Sequence, residues 1–535
     1  MGRFSPAVRA MNSSLKQTAQ GGSAGAVDVG DAEYLKRINA ARVYDVAIET
    51  PLVEAGQLSA RIGNSLFLKR EDLQPVHSFK LRGAYNKIAH LSEEDKARGV
   101  ICASAGNHAQ GVALAGRNMG IRAVIVMPRT TPAIKVRAVA GFGGEIVLHG
   151  DGYDDAAAHA AELMERDGLV YIHPYDDPYV IAGQGTIGME IVRQHPQPIH
   201  AVFVCVGGGG MLAGVAAYIK SVRPDIRVIG VEPEDAASMG ASLAAGERVA
   251  LDEVGLFADG VAVKKVGEET FRVCQRHVDA MMTVSIDEMC AAIRDVYEDT
   301  RALTEPAGVL AVAGAKKYAA ETGIENEHLV AITSGANVNF DRLSYIAERA
   351  ELGEHREALL AVTIPERPGS FRTFCQTIGD RSVSEFNYRY ADARYAQVFV
   401  GVKLTNGIPE RDELIADLEA AGYDVLDMSR NEMAKLHVRH MVGGPAPGVG
   451  SEVLFRVQFP ERPGALLRFL ESMGDRWNIS LFHYRNHGHA HGLVLLGMQV
   501  EDADRAACRA ALGEIGYDYA EETDNPVYRR FLHAG

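Results

Sequence analysis

Several features that would indicate particular protein classes are scarce or missing in this sequence of 535 residues. Tryptophan occurs once and cysteine six times, and no two cysteines form a Cys-x-x-Cys pair. We therefore expect neither a disulfide framework nor a cysteine-based zinc site, and the cysteine usage is typical of a reducing compartment. No apolar run approaches the roughly 18 residues that a membrane span needs, so we do not expect a membrane protein.

A basic surface is also missing. The formal net charge is −15, and no stripe of lysine and arginine with interleaved aromatic residues is present. Proteins that bind nucleic acid neutralise phosphates with such stripes, so nucleic acid is not an expected partner.

The first thirty residues are rich in serine, glycine and alanine, and they contain no acidic residue before Asp28. We predict a disordered tail over residues 1–32 and a cytoplasmic protein. The alternative is a transit peptide for mitochondria or plastids, because the segment carries Arg3, Arg9 and Lys16.

Between Glu33 and Ser344, short apolar runs alternate with alanine-rich stretches of helical character. This alternation predicts crossover units and a largely parallel sheet covered on both faces, which is an α/β fold with ligands beyond the carboxyl ends of the strands. The predicted strands are Leu66–Lys69, Val100–Ala103, Ala123–Met127, Glu145–Leu148, Ala201–Val206, Arg227–Val231 and His328–Ile332. The predicted helices are Arg82–Leu91, Ala109–Asn118, Pro132–Ala140, Asp154–Arg166, Gly183–Gln194 and Leu212–Ser221.

The stretch His77–Ala84 contains a lysine, Lys80, at the predicted start of a helix. A lysine held at the inner face of a domain can lose its proton and condense with an aldehyde. The alternative is a surface lysine whose stem covers apolar neighbours.

Three loops that follow predicted strands contain glycine and precede helices or turns. The segment Ser104–Gly111 leaves backbone amides bare at a helix N-terminus, which suits a carboxylate or a phosphate, although a plain turn capped by Asn107 would have the same sequence. The four glycines Gly207–Gly210 cost conformational entropy, and binding of a phosphate by successive amides would explain all of them. The segment Thr333–Asn337 places a serine hydroxyl where it could bond a heteroaromatic nitrogen or act as an ordinary cap.

The glycine loop also satisfies the dinucleotide pattern G-x-G-x-x-A through Gly208, Gly210 and Ala213, with Glu232 where a ribose-binding acid would lie. A nicotinamide-dependent oxidoreductase is therefore an alternative. It explains neither the lysine stretch nor the Ser104–Gly111 loop. A third hypothesis is an amino-acid sensor whose first domain has lost catalysis.

An internal repeat follows residue 344. Ile364–Gly369 recurs as Phe459–Gly464, and each copy has the order strand, helix, strand, strand, helix, strand, which is typical of a ferredoxin-like α+β unit. We predict a catalytic domain over residues 33–345, a helical linker over 346–357, and two such domains over 358–440 and 453–535, separated by a glycine- and proline-rich linker over 441–452.

With these four motifs in this order, the chain resembles the pyridoxal-phosphate enzymes of the tryptophan-synthase-β type. With the C-terminal repeat, it resembles the family of biosynthetic threonine ammonia-lyases. The resemblance implies a tryptophan-synthase-β-like fold followed by two ACT-like regulatory domains. It also implies α,β-elimination of threonine to 2-oxobutanoate and ammonia, the first committed step of isoleucine biosynthesis, with serine as a secondary substrate.

The resemblance further implies residue roles. Lys80 would hold pyridoxal 5'-phosphate and move the α-proton, Phe79 would lie against the ring, Asn107 would bond the ring's phenolic oxygen, and Ser334 would face the ring nitrogen. Backbone amides would bind the phosphate and the substrate carboxylate. The phosphate would lie on Gly207, Gly208, Gly209, Gly210 and Met211, and the carboxylate on Ser104, Ala105, Gly106 and Asn107.

For regulation, the resemblance implies a homotetramer that is inhibited by isoleucine and relieved by valine. Our candidate effector residues are the repeated aromatic and basic side chains Phe386, Tyr388, Arg389, Phe482, Tyr484 and Arg485. The alternative is that they pack within their own domain or across a subunit interface. No metal is predicted, because Ser238 stands where metal-binding relatives carry an acidic residue after the Val-Glu-Pro at Val231–Pro233.

Overall fold

The computed structural model describes residues 30–446, 448–460, 465–473, 476–485 and 491–532. Residues 1–29 of the predicted tail over residues 1–32 therefore lie outside the described residues. The chain divides after Ala350 into two compact units, which we call the catalytic unit and the repeat unit. No helix among the described residues has both the length and the apolar character required to cross a bilayer.

A six-stranded sheet forms the centre of the catalytic unit. Its order is β1-β2-β10-β7-β8-β9, and every neighbouring pair is parallel except β1 with β2. The strands are β1 (Leu52–Glu54), β2 (Ser65–Arg70), β7 (Ala201–Cys205), β8 (Arg227–Pro233), β9 (Ala280–Val284) and β10 (His328–Thr333). Because the central strands are buried on both faces, they have continuous apolar sequences, and Ala201–Cys205 is wholly buried.

A second, fully parallel sheet of four strands has the order β5-β4-β3-β6. Its strands are β3 (Val100–Ala103), β4 (Ala123–Met127), β5 (Glu145–Leu148) and β6 (Val170–Tyr171). The predicted α/β class is confirmed, and all seven predicted strands are present within two residues of their expected ends. The sequence interpretation missed β1, β6 and β9.

Helices connect the strands of both sheets. In the catalytic unit they are α1 (Asp31–Asn39), α2 (Gly56–Ile62), α3 (Lys80–Ala89), α4 (Glu93–Arg98), α5 (Asn107–Met119), α6 (Ala133–Gly141), α7 (Tyr153–Asp167), α8 (Pro178–Gln194), α9 (Gly210–Val222), α10 (Ser238–Ala245), α11 (Glu268–His277), α12 (Ile286–Thr300), α13 (Leu310–Thr322) and α14 (Leu343–Gly353). Local chemistry sets several of their ends. Asp177 caps α8 ahead of Pro178, and Ser285 with Glu288 forms a capping box on α12.

The repeat unit is built on one antiparallel sheet of eight strands, with the order β14-β11-β13-β12-β16-β17-β15-β18. The strands are β11 (Glu357–Pro365), β12 (Val383–Arg389), β13 (Tyr395–Lys403), β14 (Asp424–Asp427), β15 (Glu452–Pro460), β16 (Asn478–Arg485), β17 (His491–Gln499) and β18 (Tyr519–Glu521). Each copy contributes four strands in the ferredoxin-like order, and β12 pairs with β16 to join the copies.

The helices of the repeat unit are α15 (Ser370–Ile378), α16 (Ile408–Ala420), α17 (Glu432–Leu436), α18 (Ala465–Met473), α19 (Arg505–Ile515) and α20 (Pro526–Phe531). Phe374 and Phe469 from α15 and α18 are buried against the sheet. The predicted linker helix occurs earlier than expected, because α14 already ends at Gly353 and Glu357 begins β11. The buried Glu357 side chain accepts a hydrogen bond from Ser384, which fixes this residue in the sheet.

Candidate active site

The lysine stretch lies directly against the loop that follows β10. Ser78 forms an isolated bridge with Gly335, and the Phe79 amide donates to the carbonyl oxygen of Ser334 at 3.2 Å. His77 has a φ of 53°, a left-handed conformation that is uncommon for a residue with a side chain. The chain therefore turns sharply before Lys80, which is the first residue of α3.

Lys80 lies in an environment that favours its neutral form. Burial lowers the pKa of its amine to about 8, while Cys205 and Glu305 act in the opposite direction. The Nζ atom donates to the carbonyl oxygen of Pro174 at 3.1 Å. A lysine with this pKa is partly neutral near neutral pH, and it can act as a nucleophile or as a base.

Ser334 is buried at the carboxyl end of β10, as the sequence predicted. Its hydroxyl donates to the carbonyl oxygen of Ala307 and accepts from the thiol of Cys205, both at 3.3 Å. Cys205 is the last residue of β7, so the ends of two neighbouring strands meet here. The pair links the Ser334 loop to the glycine loop that begins two residues after Cys205.

The glycine loop has no room for side chains. An added Cβ at Gly208 would lie 2.3 Å from the Tyr175 ring, and one at Gly207 would lie 2.9 Å from the Cα of Val261. Gly209 has a φ of 93° and caps α9 without any side-chain hydrogen bond. The first amides of α9 therefore have no side-chain acceptor at the helix N-terminus, where the helix dipole favours an anion.

This geometry fits the phosphate of pyridoxal phosphate. A phosphate needs several convergent N–H donors, and a loop of four glycines at an uncapped helix N-terminus supplies them without side-chain obstruction. The nearby lysine supplies the amine that an aldehyde requires. The residues present thus suit both the phosphate and the aldehyde of this group.

The segment Ser104–Asn107 is partly accessible, in contrast to the buried strand before it. Gly106 precedes α5, and an added Cβ there would meet nothing within 4 Å. The Gly106 amide donates to the Ser104 hydroxyl at 3.3 Å. The start of α5 has no side-chain cap, so its open amides can donate hydrogen bonds to a carboxylate.

Asn107 is hydrogen-bonded to two residues that are distant in sequence. Its Nδ2 donates to Oε1 of Glu305 at 2.6 Å, and its Oδ1 accepts from Nδ2 of Asn337 at 2.7 Å. The structure therefore brings together the Ser104–Gly111 loop and the Thr333–Asn337 loop. The sequence analysis missed Glu305, the partner of Asn107, and Cys205, the partner of Ser334, because neither is part of a recognisable motif.

The segment on which the prediction of no metal is based, from Val231 to Ser238, lies at and after the end of β8. The Glu232 carboxylate accepts from the amides of Met239 and Gly240 at 2.7 and 2.8 Å, and burial raises its pKa to about 7. Ser238 begins α10. The absence of a required metal stays a prediction.

The candidate effector residues lie on the two central strands of the repeat unit, with Phe386 opposite Tyr484 and Tyr388 opposite Phe482. All four aromatic rings are buried. Arg389 forms an ion pair with Glu452, and Tyr388 donates to Glu366. The side chain of Arg485 lies outside the described residues. The effector role of these residues stays a prediction.

A pocket lies between the two copies, next to these strands. The empty space within it, counted together with adjoining open solvent, is about 450 Å³. The Nε1 atom of the buried Trp477 has no hydrogen-bond partner in the part of the chain that the structure describes. Arg367 and Asn478 contribute polar groups to the wall. The apolar wall consists of Phe371, Phe469, Leu470, Met473, Leu496 and Met498.

Comparison with protein families gives two matches. Residues 43–335 match the model described as pyridoxal-phosphate dependent enzyme. Residues 348–438 and 443–532 each match the C-terminal regulatory domain of threonine dehydratase. The two matches to one regulatory domain correspond to the two copies of the repeat unit.

Similar proteins cover nearly the whole chain. A biosynthetic L-threonine dehydratase of Burkholderia multivorans is 59% identical over 503 residues, which are 94% of this chain and 99% of that protein. The protein of the same description from Escherichia coli is 55% identical over 94% of this chain and 97% of its own length. The chloroplastic biosynthetic threonine dehydratase of Arabidopsis thaliana is 50% identical over 94% and 84%.

Solved structures resemble the chain over about three fifths of its length. The processed form of threonine deaminase isoform 2 from Solanum lycopersicum is 54% identical, with a TM-score of 0.60, and the match covers 62% of this chain and 91% of that one. A maize serine racemase is 33% identical, with a TM-score of 0.55 over 60% and 98%.

Proposed function

Since the chain belongs to the biosynthetic threonine dehydratases, a family of pyridoxal-phosphate dependent enzymes, we propose that its active site is the cleft around Lys80. The enzyme converts threonine to 2-oxobutanoate and ammonia in the first committed step of isoleucine biosynthesis. The observation that carries the site assignment is the meeting of three loops. Phe79, next to Lys80, bonds Ser334, and Asn107 bonds both Asn337 and Glu305, whose charge acts on the Lys80 amine.

The cofactor would be held at both ends by this chain. Lys80 would hold its aldehyde carbon, and the amides of Gly207–Gly210 and Met211 would hold its phosphate. Phe79 would lie against the ring, Ser334 would face the ring nitrogen, and Asn107 would donate to the phenolic oxygen. When bound, pyridoxal phosphate supplies an electron sink for the electrons of the bond that breaks at the substrate's α-carbon.

Groups of the protein bind the substrate and move its protons. The amides of Ser104–Asn107 bind the substrate carboxylate and orient the α-hydrogen. The Lys80 amine, whose lowered pKa leaves it partly neutral near neutral pH, removes the α-proton. The β-hydroxyl leaves with a proton as water, and a second water releases ammonia, so that threonine yields 2-oxobutanoate and ammonia with no net water.

Serine is the expected secondary substrate. It carries the same α-hydrogen and β-hydroxyl and differs from threonine by one methyl group. One methylene-sized group in an apolar pocket discriminates by only about 1–3 kcal/mol. Both amino acids should therefore react, and the ratio of their kcat/KM values measures the preference.

The catalytic proposal is tested by 2-oxobutanoate formation from threonine, with the visible absorbance recorded on the same sample. Turnover by a coloured protein is expected. A colourless and inactive protein would contradict the proposal and restore the nicotinamide alternative. Inactivity with the cofactor bound would instead support a sensor without catalysis.

For regulation, we propose that isoleucine inhibits the enzyme by binding to the repeat unit, and that valine relieves the inhibition. The pocket between the copies supports an aliphatic amino acid as the ligand, because apolar side chains line it and the Arg367 guanidinium, which has no ion pair among the described residues, could bind a carboxylate. It also adjoins the predicted effector strands, since Glu366 accepts from both Tyr388 and the pocket residue Asn478.

Deletion of the residues after Glu354 tests this regulatory role. The truncated enzyme should still eliminate water from threonine and should lose its response to isoleucine. Coupling between effector and substrate sites is typically about 1–3 kcal/mol, so the intact chain should show a clear shift in its threonine dependence. Inhibition that survives the deletion would place the effector outside the repeat unit.

For assembly and location, we propose a cytoplasmic homotetramer. The family resemblance supports the tetramer, and light scattering at four times the chain mass would test it. Higher identity to bacterial relatives than to the chloroplastic one favours the cytoplasm. An organelle is the alternative, and fractionation of the source cells distinguishes the two.

A further inference from the structure

The Asn107 amide is part of a ring of three interacting polar residues. Its Nδ2 donates to Glu305 at 2.6 Å, and its Oδ1 accepts from the Asn337 side chain at 2.7 Å. The Asn337 backbone amide also faces the Glu305 carboxyl group and acts to lower its pKa, so the three residues surround one another in a ring. The three residues belong to three separate segments of the catalytic unit.

This ring determines which way the Asn107 amide faces. The Asn337 side chain has two N–H groups, and both are used, one on the Val76 carbonyl at 2.8 Å and the other on Asn107. If the Asn107 amide rotated by half a turn, its NH₂ would face this donor and its oxygen would face a carboxyl group. Only the observed orientation satisfies both neighbours.

One donor of Asn107 is left over. An asparagine NH₂ has two N–H groups, and Glu305 takes one of them. Among the described residues, the second has no protein acceptor. The ring therefore presents a single N–H in a fixed direction, which is what recognition of one oxygen atom requires.

The Glu305 carboxyl group is held firmly enough to serve as the anchor. It is 6% exposed, and its own amide donates to the Gly335 carbonyl at 3.1 Å. An added Cβ on Gly335 would lie 2.5 Å from Glu305 Oε1, and one on Gly308 would lie 2.2 Å from the Gly335 oxygen. The surrounding backbone therefore leaves no room for the carboxyl group to move towards Gly335.

We propose that Glu305 is a positioning residue, which together with Asn337 fixes the Asn107 amide so that its free N–H meets the phenolic oxygen of the cofactor. This inference rests on the proposed role of Asn107 in the active site. Glu305 itself need not touch the substrate or the cofactor.

The charge of Glu305 gives this role a measurable signature. Burial raises its pKa to about 7, and Asp259 acts in the same direction. Lys135, which pairs with Asp259 at 2.6 Å, and the hydrogen bond from Asn107 oppose the rise. Lys80 and Cys205 also interact electrostatically with Glu305. As the pH rises through about 7, the carboxyl group becomes charged and stabilises a protonated nitrogen at Lys80.

The test uses the full-length holoenzyme without substrate. Glu305→Gln keeps the acceptor for Asn107 but removes the charge, so cofactor affinity should be kept, while the pH midpoint of the visible spectrum falls by about one unit. Glu305→Leu removes the acceptor, and the dissociation constant for pyridoxal phosphate should rise about tenfold. Glu232→Gln, another buried carboxyl whose pKa is raised to about 7, is the matched control and should alter neither quantity.

Asn107→Ala distinguishes the proposed contact of Asn107 with the cofactor from the proposed positioning of Asn107 by Glu305. If Asn107→Ala weakens cofactor binding and Glu305→Leu does not, Glu305 is not a positioning residue. If Asn107→Ala itself leaves affinity and spectrum unchanged, the proposed role of Asn107 is wrong. Should Glu305→Leu fail to fold, a loss of cofactor affinity in Glu305→Gln, which keeps the acceptor for Asn107, would still overturn the proposal.

Discussion

The catalytic unit and the repeat unit treat buried charge in different ways. In the repeat unit, buried acids at strand positions have a guanidinium as partner, as in Glu385 with Arg439 and Glu452 with Arg389. In the candidate active site, Glu305 is buried and Lys80 is partly buried, and neither forms an ion pair among the described residues. Their pKa values therefore shift towards neutrality, to about 8 and about 7.

The difference shows where each unit places its function. Groups that titrate near neutral pH can transfer protons or respond to a bound ligand, so the cleft keeps them without opposite charges. In the repeat unit the buried carboxylates are neutralised instead, and we propose that its regulatory function lies in the pocket between the copies. Fully paired charges also occur in the catalytic unit, where Arg82 bonds Glu71 and Glu190, but these groups lie in its interior.

Replacing Lys80 should give the largest effect. Lys80→Ala removes both the attachment point of the cofactor and the base, and elimination should fall by at least about 100- to 10,000-fold. Production of 2-oxobutanoate and the cofactor's visible absorbance measure the two losses. Lys87→Ala, on the same helix but paired with Asp177 at 2.7 Å, is the control and should retain both. A turnover-competent Lys80→Ala enzyme would contradict the central assignment.

Replacing a carboxylate that is paired with arginine should lower the stability of the protein much more than replacing Glu305. Glu452→Gln leaves the buried Arg389 without its counter-charge, and the free energy of unfolding of the repeat unit should fall by about 3–5 kcal/mol. Urea unfolding at neutral pH measures this change. Glu305→Gln should change stability far less, because Glu305 is already partly neutral at that pH.

The pH dependence of this contribution has a definite sign. Burial acts to raise the pKa of Glu452, but hydrogen bonds from Arg389, Ser480 and Tyr528 outweigh it and lower the pKa. The stabilisation by Glu452 is therefore present above its ordinary pKa and is lost as the pH falls below it. A wild-type repeat unit that became more stable on acidification would break the comparison.

The glycine loop should tolerate a methyl group less well than a helix end does. Gly208→Ala places a Cβ 2.3 Å from the Tyr175 ring, so pyridoxal phosphate should bind more weakly by about 1–3 kcal/mol. Titration of the cofactor by fluorescence measures the change. Gly141→Ala is the matched control, because nothing lies within 4 Å of its added Cβ. Equal affinities in the two variants would remove the steric argument for this loop.

A pocket variant of the repeat unit should have the smallest effect. Trp477→Phe removes one unpartnered N–H donor from the wall, and half-inhibition should require about 2- to 12-fold more isoleucine. Turnover without isoleucine should be unchanged. Tyr395→Phe, which alters an exposed ring in the same unit, should leave the inhibition as it was. An unaltered response in Trp477→Phe would argue against effector contact with that donor.

The sequence predicted the elements whose information is local. The buried strand Ala201–Cys205 is a continuous apolar run, and the four glycines after it can be interpreted without any partner. The same holds for Lys80 and Ser334, which lie in recognisable motifs at the ends of predicted elements.

What the sequence could not predict depends on distant partners. Glu305 and Asn107 are 198 residues apart, and no spacing indicates that they touch. Strand β6 has only two residues, too few for a periodic pattern, and β1 is defined by its pairing with β2. The effector hypothesis likewise named repeated aromatic residues, but repetition alone cannot separate a buried core strand from a ligand wall.

Because β12 pairs with β16, the two copies of the repeat unit share one sheet and we expect that they cannot be separated without exposing a strand edge. The outermost strands of this sheet, β14 and β18, have only four and three residues and end in acidic side chains, so they offer little template for a foreign strand. Separation at the linker would turn the seven residues of β12 into an open edge rich in aromatic side chains. A single copy produced alone should therefore aggregate, and transfer of the repeat unit to another enzyme must move both copies together.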